Sequence, residues 1–109
     1  MQLDEYQYEA LHYAVYDDEL YPFLALCEEA GEVIGKIAKL IRKKQYVSNL
    51  YEIEEVKAQL KKELGDVLWN VANCCAVLDT TLQEVAEENL DKLADRAERG
   101  VIVGEGDNR

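Results

Sequence analysis

Two long stretches of this chain hold apolar residues at helical spacing for several turns each, and one proline, Pro22, stands in the whole sequence. Leu26, Ala30, Val33, Ile37, Leu40 and Ile41 mark the first stretch. Val56, Leu60, Leu64, Val67, Val71, Cys74 and Leu78 mark the second. Recurrence at this spacing is the signature of an amphipathic helix, and no run shows the alternation that a half-buried strand requires. The expected fold class is all-α.

Four helices are expected. The first covers roughly residues 3 to 16, with Leu3, Tyr6, Ala10, Tyr13 and Ala14 on one side. Pro22 sits where a first helical turn tolerates it, and the second helix runs from there to about Lys44. The segment Gln45 to Tyr51 breaks the pattern and reads as a loop, or a lid, before a third helix from about Glu52 to Leu78. Thr81-Leu82-Gln83-Glu84 reads as a capping box that opens the fourth helix, with Leu82, Val85, Ala86, Leu90 and Leu93 apolar, and Gly100 ends it. Residues 101–109 are short, partly apolar and glycine-bearing, more an arm than a fifth helix. One domain over residues 1–109 is expected, because a chain of this length with 49% apolar residues builds one modest core that oligomerisation would enlarge.

Charge narrows the partners. Twelve Lys and Arg against 23 Asp and Glu give a net charge of -11, which argues against a nucleic-acid duplex or an anionic membrane as the main partner. Phosphates remain accessible to such a chain through a metal ion. The start, Met1-Gln2-Leu3-Asp4-Glu5-Tyr6, lacks the basic and apolar regions of a signal peptide, and no stretch is long enough to span a bilayer, so a cytoplasmic location is expected. Three cysteines, Cys27 and the adjacent Cys74 and Cys75, form no metal-binding spacing and read as buried reduced thiols.

Two acidic turns border the apolar stripes. Glu29 and Glu32, followed by Lys36, adjoin the core face of the second helix, while Glu63, Asp66, Asn70 and Asn73 fall within roughly 80° of one another on the third at about 100° per residue. One such turn alone is ordinarily a solvated face. Two of them on antiparallel helices packed through their apolar faces bring four carboxylates to one seam, where they repel one another and rise in pKa unless a cation neutralises them. Oxygen-only ligands without Cys or His point to magnesium, or manganese, and away from zinc. Phosphoryl chemistry on a nucleotide is the leading inference. On the fourth helix Asn89, Lys92 and Arg96 lie next to the apolar face, where they can bind phosphate oxygens or pair with nearby carboxylates.

These residues carry a family resemblance. Glu28-Glu29-x-x-Glu32, then Glu63-x-x-Asp66, then the amide Asn73, look like the EExxE and ExxD signature of MazG-like nucleoside triphosphate pyrophosphohydrolases. The match continues through Asn89-x-x-Lys92-Leu93 to Arg96 and covers about residues 20 to 100. The interval between Glu32 and Glu63 is longer than the family pattern, which implies an enlarged loop around Tyr46 to Glu55 bearing on substrate choice. The resemblance implies a four-helix bundle completed in a homodimer or homotetramer, and hydrolysis of a nucleoside triphosphate to the monophosphate and pyrophosphate. It implies magnesium ligation by Glu29, Glu32, Glu63 and Asp66, with Glu28 supporting those ligands or serving as base for the attacking water. It implies contacts from Asn73, Lys92 and Arg96 to phosphates or ribose, with Lys36 and Lys39 as further phosphate candidates.

Other residues keep two readings each. Trp69 serves core or subunit packing, or stacks on a base. Tyr6, Tyr13, Tyr46 and Tyr51 frame a base or line an oligomer interface. Arg109 reaches a phosphate or belongs to a frayed end. His12 reads as an ordinary surface or interface residue. A dUTP or dCTP pyrophosphatase of the same chemistry is the rival enzyme, and a non-catalytic acidic helical interaction module is the rival from another class. A di-iron bundle is disfavoured, since it needs a Glu-x-x-His turn on each of two helices and the chain holds a single histidine.

Overall fold

A computed structural model describes residues 1–42 and 54–109, apart from the side chains of Leu40 and Glu55; the expected loop or lid, with Tyr46 and Tyr51, lies outside the described residues. Among the described residues four helices follow in order: α1 (Leu3–Leu11), α2 (Tyr21–Arg42), α3 (Glu54–Val77) and α4 (Leu82–Glu98). Among the described residues there is no strand. The all-α expectation holds, and so does the number of helices.

α1 is shorter than expected. It begins with Asp4 and Glu5 in its first turn, where carboxylates favour the helix dipole, and stops at Leu11 instead of continuing to Tyr16. Residues His12 to Tyr16 are aromatic, β-branched or otherwise poor helix formers apart from Ala14, so propensity does not carry the helix past its own packing surface. Asp18 then turns the chain by accepting the Leu20 N–H at 2.8 Å, and Pro22 is fully buried in the first turn of α2.

The termini of the later helices are chemically specified. Thr81 caps α4 by accepting the Glu84 N–H at 3.1 Å, as the sequence suggested, while the Glu84 carboxylate is bound by the Thr80 hydroxyl at 2.5 Å instead of closing the box on the cap residue. Asp79, at φ 56°, ends α3 in the left-handed region usually given to glycine. The Thr80 N–H to Cys75 carbonyl bond of 2.9 Å closes that turn. Gly100, at φ 71°, ends α4 the same way.

The core of Ala72, Cys75 and Leu82, with Tyr6 and Val71 against it, sits where α1, α3 and α4 meet. α2 packs along α3 and, among the described residues, on neither α1 nor α4. Several residues expected to be buried are therefore exposed: Ile41, Leu64 and Leu78 at 69%, 56% and 65%, with Val85, Leu90 and Leu93 on α4. Periodicity reports an apolar face correctly, but one chain has too few helices to cover every such face. The accessible surface, 8510 Å², exceeds the roughly 6100 Å² typical of a folded monomer of this mass. Cys27 is likewise exposed and not a buried thiol, whereas Cys74 and Cys75 are buried, and burial pushes both thiols up. No described helix is long and apolar enough to cross a membrane.

Candidate active site

Because α2 lies against α3, the two acidic turns face one another across the seam. Carboxylate oxygens of Glu29, Glu32 and Glu63 all lie within 4.8 Å of each other. Asp66 stands outside that trio as an exposed residue, yet its charge is felt at Glu29 and Glu63. The structure thus gathers three of the four expected ligands and holds the fourth nearby.

The electrostatics follow from the crowding. Desolvation raises the Glu29 carboxyl above its ordinary range, and the charges of Glu32, Asp66, Glu63 and Glu28 add to the rise. Glu63 rises for the same first reason, then through a hydrogen bond and repulsion from Glu32, while Lys36 pulls the other way. Lys36 Nζ lies 3.8 Å from Glu63 Oε1, the single cation among the described residues that pairs with the cluster. One ammonium group does not balance three carboxylates, and an oxygen-only donor set of this spacing suits a hard divalent cation such as magnesium.

A groove of about 400 Å³ opens beside the cluster, lined by Glu28, Gly31, Glu32, Gly35, Lys36 and Lys39. Gly31 has nothing within 4 Å of the space a Cβ would fill. Among the described residues no neighbouring helix approaches it there, and it leaves the groove wide. Lys36 and Lys39 share the groove with Glu28 and Glu32, so the expected phosphate-binding lysines and the acidic turn do come together.

A second cavity of about 400 Å³ adjoins the cluster on the other side, bounded by Tyr16, Asp17 and Tyr21 ahead of and within α2, and by Trp69 and Asn73 on α3. Glu29 lines it as well as the ligand cluster. Trp69 is half-buried and donates its indole N–H to the Ala10 carbonyl at 3.0 Å, which fixes the ring between this cavity and a hollow containing Tyr6 and Tyr13. Asn73 is 3% exposed, and its Oδ1 has no hydrogen-bond partner among the described residues. Asp17, Tyr16 and Tyr21 were missed by the sequence reading: Asp17, Asp18 and Glu19 just before a helix look like charges complementing its dipole, which conceals any other use.

The basic residues of α4 are placed differently. Lys92 and Arg96 each pair with the Asp107 carboxylate, at 3.6 Å and 3.5 Å, and Arg96, 5% exposed, also donates to the Asp107 carbonyl at 3.0 Å. Arg109 donates to the carbonyls of Val101 and Ile102 at 2.9 Å and 3.2 Å, so the arm folds on itself at the end of α4 instead of fraying. α4 does not pack on α2, and the pairs formed by Lys92 and Arg96 are with the arm, not with the seam carboxylates. His12 is exposed, its Nδ1 2.8 Å from the Tyr8 carbonyl.

The all-helical fold with paired acidic turns across one seam agrees with the comparison with known families. The profile of the MazG nucleotide pyrophosphohydrolase domain matches residues 20–101, and this chain belongs to that family. It is also similar to the Gene 37 protein of Mycobacterium phage L5, with 40% identity over 118 aligned residues and 100% of each chain covered. No solved structure matches it.

Proposed function

We propose that this protein hydrolyses nucleoside triphosphates to the monophosphate and pyrophosphate, with magnesium, or manganese, held at the seam of α2 and α3. The observation that carries this reading is the convergence of Glu29, Glu32 and Glu63 oxygens within 4.8 Å, in a chain of the MazG family. Asp66 completes the ligand set from the next turn of α3. A magnesium ion there would neutralise triphosphate charge and lend Lewis acidity toward water.

The chain's own residues do the rest. Glu28, beside Glu32 in the groove, accepts the proton of the attacking water. Attack at the α- or β-phosphorus breaks a P–O bond of the α–β bridge, and its electron pair leaves with pyrophosphate in the first case and with the nucleoside monophosphate in the second. Lys36 and Lys39 line the same groove and supply positive charge to phosphate oxygens. Lys92, Arg96 and Arg109 serve phosphates once a partner subunit or the arm brings them to the seam. The uncovered apolar residues of α2, α3 and α4 support a homodimer or homotetramer in which paired helices complete the bundle. A cytoplasmic site of action fits this chemistry.

The test is pyrophosphate release from a panel of common and modified nucleoside triphosphates with magnesium. Glu32→Gln and Asp66→Asn are expected to lower kcat by on the order of 10³-fold while the fold persists. Turnover that survives both substitutions, or no release from any nucleotide, overturns the reading.

A further inference from the structure

The arm of residues 101–109 forms no helix or strand, yet its path is chemically specified. Arg109 donates to the carbonyls of Val101, Ile102 and Gly106, and Arg99 donates to the Arg109 carbonyl, which closes the segment into a loop at the end of α4. Two glycines permit that closure. Gly104 lies so near Arg109 that a Cβ there would stand 2.6 Å from its Cδ, and Gly106 turns the chain at φ 77°, a region strained for most side chains. The loop thereby delivers Asp107 to the face of α4 that carries Lys92 and Arg96.

The pairing that results is lopsided. Arg96 has 7% of its side chain exposed, whereas Asp107 has 87%. A guanidinium does not shed its charge, so one held this far from water requires an anionic partner. The carboxylate filling that role is almost wholly solvated, and its pair with the half-exposed Lys92, at 3.6 Å, is screened and worth no more than a factor of about five. Arg96 meets the same carboxylate through one nitrogen, Nη2, at 3.5 Å, not through the two parallel N–H bonds that make such contacts strong. A terminal phosphate carries three acceptor oxygens and about two charges, and it binds a guanidinium by both prongs. Arm and phosphate compete for the same two cations, and the phosphate has the stronger claim.

Resting on the nucleotide reading above, we propose that the arm is a displaceable internal anion: Asp107 holds Lys92 and Arg96 closed in the free protein, and the polyphosphate end of a nucleotide replaces it and releases residues 101–109 from α4. Inorganic pyrophosphate is the probe, titrated into the full-length, metal-free protein so that neither turnover nor a metal contributes. Amide hydrogen exchange across residues 101–108 is expected to quicken at least about fivefold at saturation, while exchange in α3 stays as it was. Asp107→Asn is expected to bind pyrophosphate about fivefold tighter by calorimetry. Gly106→Val, which opens the arm without altering charge, is expected to bind tighter as well. Glu105→Gln makes the same charge change at an exposed carboxylate of the arm that forms no ion pair among the described residues, and is expected to bind as the wild type does. Arm exchange unmoved by pyrophosphate, no binding at all, equal affinities in Asp107→Asn and Glu105→Gln, or a Gly106→Val protein that binds no tighter than the wild type overturns the proposal. Arm release in a protein that turns over no triphosphate would instead sink the hydrolase reading and leave the displaceable arm standing, and turnover with an unmoved arm would do the reverse.

Discussion

Of the three amides buried among the described residues, Gln7, Asn70 and Asn73, the first and the last are treated in opposite ways. Gln7 on α1 spends both ends: Oε1 accepts the Leu82 N–H at 2.7 Å and Nε2 donates to the Thr80 carbonyl at 3.3 Å, which ties α1 to the turn between α3 and α4. Asn73 on α3 is buried as deeply, yet its Oδ1 is left without a partner beside a cavity. The carboxylates of the seam share that condition, with Glu29 and Glu63 raised by desolvation and crowding and, among the described residues, only Lys36 to offset them. A polar group that holds a fold together is satisfied by the chain itself, whereas one that serves a ligand is left incomplete until the ligand arrives.

Substitutions can break this contrast. Gln7→Ala removes two hydrogen bonds and leaves the buried Leu82 N–H unpaired, so a loss of about 2–3 kcal/mol is expected in urea unfolding, with pyrophosphate release unchanged in KM. Glu63→Gln should do the reverse: activity falls, and the metal-free protein unfolds at the same urea concentration or a higher one. If both substitutions destabilise alike, the seam is structural and the contrast fails. Thr81→Ala, which deletes the α4 cap, is expected to cost about 1 kcal/mol by the same measurement, again without effect on the seam.

The smallest effect is a slope. Glu29 and Glu63 titrate above their ordinary 4.5 in the folded protein, so between that value and their raised ones the folded state binds more protons than the unfolded state. Their contribution to the stability of the metal-free protein is therefore present below the ordinary value and lost as pH rises through the raised ones. Thermal melts from about pH 4 to 8 should show this loss in the wild type and a flatter profile in Glu29→Gln. Magnesium, which requires the ionised carboxylates, should raise Tm more at the upper end of that range than at the lower. A Tm increment independent of pH would separate the ion from these two groups.

Much of this was legible along the chain. Helix number, the Thr81 cap, the Gly100 stop and the acidic turns all follow from spacing and residue type, which act within a few residues. The early end of α1 was not, because a weak helix stops where its packing stops, and that surface belongs to α3 and α4. Nor was the exposure of Leu64, Leu78 and Leu90, since periodicity marks a face as apolar without saying whether this chain or another copy covers it.

By itself the sequence determined four helices and two carboxylate pairs at the edge of their apolar faces, because helical geometry converts a local interval into a shared side. Tertiary structure alone decided that Glu29, Glu32 and Glu63 draw together with Asp66 outside the trio, and that Lys92 and Arg96 pair with Asp107. It also decided that Gln7 is satisfied and Asn73 is not. Whether a polar group finds a partner depends on residues dozens of positions away, and no interval along the chain encodes that distance.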